Sequence, residues 1–147
     1  MAQEHEVLAR CRDDLRRGKE LCLSLKKNAI EHAPRELSYI ELKTLCRRLE
    51  ESCRQMAHER GDDERRMAFP WIELAHHFKK LADAVQKLRR GHRWLLFGDL
   101  AEVFERHTRN IAILANRATG NTSLSGQLLI LPPWLRSKPQ SSLILPG

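Results

Sequence analysis

The sequence predicts an all-α protein: a four-helix antiparallel bundle with an apolar Pro/Ser/Leu-rich C-terminal segment packed on it. Three observations carry that expectation. Apolar residues recur three and four positions apart in four separate stretches, the spacing at which one face of an α-helix returns to the same partner. Prolines and glycines fall between those stretches rather than within most of them, as punctuation should. Runs of β-branched and aromatic residues, which strands need, are scarce; aromatics make up 5% of the chain.

The first helix is expected from Gln3 to Ile30, with the seam Leu8, Cys11, Leu15, Gly18, Cys22, Leu25, Ala29. Its steps alternate three and four, a heptad-like rhythm suited to long antiparallel or parallel packing. Gly18 disfavours a helix interior by about 1 kcal/mol against Ala, so it marks either a close approach of a neighbour or a weak point. Leu21 and Leu23 widen the apolar stripe. The helix should stop before Pro34, because the residue ahead of a proline avoids the α region.

Ser38-Tyr39-Ile40-Glu41 fits a capping box, with Leu37 placed to staple onto Leu42. A second helix should start there, carry Leu42, Leu45, Cys46, Leu49, Cys53 and Met56 inward, and end at Gly61. Asp62-Asp63-Glu64 supplies acids where a helix dipole favours them, so a third helix should begin there or at Pro70. Its seam is Trp71, Leu74, Phe78, Leu81, Val85, Leu88, and Gly91 should end it. A fourth helix, Trp94 to Ala118, carries Leu96/Phe97, Leu100, Val103/Phe104, His107, Ile111 and Leu114, closing at Gly120. The domain reading is therefore a helical bundle over 1–120 and an extension over 121–147. The extension holds two apolar clusters, 128–135 and 143–146, and no acid, unlike a solvated tail.

The net charge of +7 draws a protein toward nucleic acid, anionic membrane or acidic proteins. That excess is spread thinly: residues 1–33 hold seven Lys/Arg against six Asp/Glu, and 34–60 hold six against five. The sharpest cluster is Lys87, Arg89, Arg90 and Arg93, at a helix end where the dipole favours cations. With Lys79 and Lys80 these form the candidate phosphate-binding set for a nucleic-acid backbone contacted without reading bases. No hydrophobic run reaches the ~20 residues of a membrane span. The opening MAQEHEVLAR lacks an apolar core, so no secretory signal is expected and the compartment is read as cytoplasm or nucleus.

Motifs for chemistry are missing. The seven histidines include no pair four apart on a helix, and His76 and His77 are adjacent, pointing different ways. No metal and no cofactor is expected. Neither a phosphate-cradling glycine loop nor a nucleophile elbow occurs, and no enzyme is expected. Carboxylates read as solvated helix faces with neighbours such as Glu73–His77. His107 is expected to face the seam and be hydrogen-bonded there. The four cysteines, Cys11, Cys22, Cys46 and Cys53, lie on the seams and read as reduced, buried thiols, with a disulfide as the alternative. Arg60-Gly61-Asp62 and Asn121-Thr122-Ser123 spell an integrin-binding tripeptide and a glycosylation sequon. Both need secretion and read as chance.

The expected function is a non-enzymatic protein–protein interaction module, an adaptor or complex subunit binding a partner helix or an acidic protein surface. The alternative is a basic helical component on nucleic acid. Trp94, Leu95, Pro132, Trp134 and Leu135 are the candidate partner-binding residues. The surplus of apolar residues on the seams also allows a homodimer.

Overall fold

The computed structural model describes residues 2–31, 36–61 and 65–115, with side chains over 4–27, 36–60 and 68–115. Four α-helices follow one another: α1 (Ala2–Glu31), α2 (Glu36–Gly61), α3 (Arg65–Arg90) and α4 (Phe97–Ala115), the last preceded by a 3₁₀ turn at Trp94–Leu96. Pro34, the acids at 62–64, Ala118, Gly120 and the C-terminal segment with its expected packing lie outside the described residues.

The helices run alternately up and down, as their contacts show. Arg17 reaches Glu41 and Arg10 reaches Gln55 between α1 and α2; Lys43 meets Gln86 and Arg89 meets Glu36 between α2 and α3. Lys19 meets Glu105 between α1 and α4. Each helix lies beside its sequence neighbours, and α4 closes the ring against α1. This is the antiparallel four-helix bundle that the seams predict.

The seams face inward. Leu15, Cys22 and Leu25 of α1, Leu42, Cys46, Leu49 and Met56 of α2, Trp71, Phe78 and Leu81 of α3, and Phe97, Leu100 and Phe104 of α4 are wholly buried. Burying each large side chain contributes roughly 1.5–3 kcal/mol. Gly18 serves close approach: a Cβ built there would stand 2.7 Å from Cε1 of Phe104, so the α4 ring fills the place of a side chain on α1.

Two helix starts differ from the sequence expectation, each for a tertiary reason. α2 starts at Glu36, so Ser38 sits inside the first turn and no capping box forms. The Leu37–Leu42 staple is likewise missing: Leu37 is 81% exposed and Leu42 is core. Contacts across the bundle support the earlier start. Both carboxylate oxygens of Glu36 accept from Arg89 at 2.7 Å, and the Tyr39 ring lies 5.7 Å from both Trp94 and Phe97. α3 runs from Arg65 through Pro70. Pro70 removes one backbone donor, but the flanking Ala68 and Trp71 are buried and hold the turn in place.

At the other end of α3, the left-handed residue is His92 (φ 53°), not Gly91. The Arg93 N–H donates to the Leu88 carbonyl at 2.9 Å and His92 N–H to the Arg89 carbonyl at 3.3 Å, the paired bonds of a Schellman stop. The motif places its positive-φ position one residue beyond the glycine. The His92 ring then packs edge-on against Trp94 at 5.2 Å.

Polar groups are drawn into this frame. Arg60, 1% exposed, donates to Glu4 of α1 at 2.8 Å and to the Leu114 carbonyl of α4 at 3.5 Å, so one guanidinium joins three helix ends. Asp14, buried, accepts from Arg48. His77 does not pair with Glu73. It turns into the α3–α4 seam, where its ring lies 5.6 Å from that of His107. His107 faces the core and is hydrogen-bonded, Asn110 Nδ2 lying 3.3 Å from its Nδ1.

Candidate functional site

The tight α3–α4 link decides which apolar side chains reach the surface. Once His92 turns the chain, the 3₁₀ turn presents three large residues in sequence. Trp94 is half-buried against Tyr39 and His92, and Leu96 is half-buried against the core. Leu95 points out, 64% exposed. On α1, Leu23 sits one step off the buried Cys22 and is 48% exposed. Both leucines line the same groove between α1 and the start of α4, a cleft of about 220 Å³.

The walls carry opposite charge. Lys19, Leu23 and Lys26 are four and three residues apart on α1, so they stack along one edge. Asp99, Glu102 and Glu105 are three apart along α4 and form the facing edge. Lys19 bonds to Glu105, and this bond is the main cause that holds the Glu105 carboxyl below its usual range, with Arg109 adding to it. Lys26 lies over Gly98; an added Cβ would come within 3.1 Å of its Nζ. The glycine therefore lets the Lys26 chain cross the groove. The cleft thus sets two exposed leucines between a basic and an acidic wall.

The candidate residues are distributed as follows. Trp94 and Leu95 adjoin in the 3₁₀ turn, but only Leu95 opens to the groove. Pro132, Trp134 and Leu135 lie outside the described residues. Lys79, Lys80, Lys87, Arg90 and Arg93 are exposed. Arg89 is engaged: it holds Glu36 and lies 5.7 Å over the Tyr39 ring. Along α3, Lys79, Lys80, Lys87 and Arg90 fall within about 100° of one another on the outer face, with Asp83 among them. On α1 and α2 the cations at the seams are mostly bound to acids, Arg17 to Glu41, Arg48 to Asp14 and Arg54 to Glu50. The sequence alone does not mark the acidic wall of the groove. A carboxylate on a charged helix acquires a facing partner only through the register of two helices, and the three-residue spacing of Asp99, Glu102 and Glu105 was its only trace.

Among the described residues, no three His, Cys, Asp or Glu gather as metal ligands, and no helix is long and apolar enough to cross a membrane. Comparison of the chain with protein-family models, with curated proteins and with solved structures finds no match.

Proposed function

We propose that the protein is a non-enzymatic interaction module that seats an amphipathic helix of a partner protein along the α1–α4 groove. The exposed pair Leu23 and Leu95 on one cleft between oppositely charged walls is the observation that supports this most directly. A helix laid in such a groove places its apolar side chains, spaced three and four, against the leucines. Its charges then meet Lys26 on one side and Glu102 on the other, which fixes its direction. A cytoplasmic or nuclear setting belongs to the same reading, in keeping with four free cysteines.

The test is selection from a displayed library of amphipathic helical peptides, with the L23D/L95D variant as the counter-target. Enriched peptides that bind wild type and lose at least tenfold in affinity on the variant support the reading. No enrichment over the variant rejects it.

A second reading rests on the cationic outer face of α3. Labelled duplex RNA and DNA should bind there with strong salt dependence, and K79E/K80E should weaken both sequences equally. Anisotropy that stays flat at about 50 mM salt excludes it.

A further inference from the structure

Cys11 and Cys53 face each other across the α1–α2 seam, and the register on either side fixes that meeting. One residue before Cys11, Arg10 donates to Gln55 at 3.5 Å; three residues after it, Asp14 accepts from Arg48. Between these clamps the register sets the two thiols side by side, with Ser52 beside Cys11. Neither sulfur-bearing residue is exposed. Cys22 and Cys46, also buried free thiols, sit further toward the other end of the seam.

We propose that Cys11 and Cys53 are a reversible redox pair, closing to an α1–α2 disulfide by exchange with a low-molecular-weight disulfide such as oxidised glutathione.

In the closed bundle the two thiols are unequal. Hydrogen bonding from Cys53, with Ser52 assisting, draws the Cys11 thiol below its ordinary value against the opposing effect of burial. Burial pushes the Cys53 thiol well up. Once the seam has opened, the Cys11 thiolate is one of two that can attack. It attacks one sulfur of the glutathione disulfide, breaking that bond and releasing one glutathione thiolate. The released thiolate takes the Cys53 proton. The Cys53 thiolate then attacks the Cys11 sulfur, forming the inter-helix bond and expelling the second glutathione. Two protein thiols are oxidised, one disulfide is reduced to two thiols, and no other reactant is needed. Because Cys11 is enclosed, the first step waits on opening of α1 from α2, so the reaction is slow and accelerates in mild denaturant.

The full-length protein is incubated with oxidised glutathione, alkylated, and mapped by mass spectrometry without reduction. The expected product lacks two hydrogens, joins the Cys11 and Cys53 peptides, and carries alkyl groups at Cys22 and Cys46 after unfolding. Its Tm exceeds that of the reduced form by several degrees, and dithiothreitol reverses the gain. C53S should stop at the mixed disulfide on Cys11. A product joining Cys22 to Cys46, or four thiols still free after the reduced form has been opened and reclosed in mild denaturant with glutathione, overturns the proposal.

Discussion

Lowering the pH should weaken this bundle through His107. The ring is wholly enclosed, 5.2 Å from the Phe78 ring and 5.6 Å from His77, with Nε2 buried and without a hydrogen-bond partner. Burial is the main cause that pushes it down to about 3, and His77 and Arg106 add to it. In the unfolded chain the same ring titrates near 6.5. The folded protein thus keeps His107 neutral while the unfolded chain takes up a proton. The stabilisation is complete above about pH 6.5 and is lost as pH falls toward 3, at about 1.4 kcal/mol per pH unit. Between about pH 7 and pH 5 this amounts to about 2 kcal/mol. His77, pushed down to about 4 chiefly by burial, acts in the same direction and adds a drop of similar size over this interval. The measurement is urea unfolding at both pH values on wild type and H107Q. H107Q should lose about 2 kcal/mol of the pH-dependent difference, whatever its absolute stability. A wild-type free energy equal at both pH values, or an H107Q drop as large as wild type's, refutes the reasoning.

G18A should destabilise by about 1–3 kcal/mol despite better helix propensity, because the new methyl meets the Phe104 ring at 2.7 Å; thermal melts of G18A, F104L and the double variant should show the two changes compensating. H92G should raise Tm, since glycine takes the φ of 53° without strain; the gain is under about 1 kcal/mol because the edge contact with Trp94 is lost. R60A should cost about 3–5 kcal/mol by stripping the buried partner from Glu4. Chemical denaturation of E4Q/R60M should recover most of that loss, because methionine refills the buried volume of Arg60 without a charge.

The architecture was legible because burial imposes period on a helix regardless of what covers it. Trp71, Phe78 and Leu81 could be assigned inward before any neighbour was known. What depends on the neighbour was not legible. The capping box at Ser38 is sound local chemistry, yet Glu36 and Tyr39 find partners on α3 and α4 that extend the helix backward. His77 read as a surface residue beside Glu73 because α3 was given a single face. It packs against both α2 and α4, which widens its buried arc to include His77, and the alanine at 84 with Leu88 on the same side was the available hint. Leu95 could be named as exposed, while its companion Leu23 and the acidic wall required the α1–α4 register.

The Gly18–Phe104 fit has a kinetic side. Every other seam joins helices adjacent in sequence, but this one joins the first and last, and its neighbouring Lys19–Glu105 pair spans 86 residues. Closing so long a loop carries the largest entropy of any seam, so it forms after the hairpins of sequence-adjacent helices. Substitutions at Gly18 should then speed unfolding and leave the refolding limb nearly unchanged. The ring seated on the glycine acts as the latch that sets how long the closed bundle lasts.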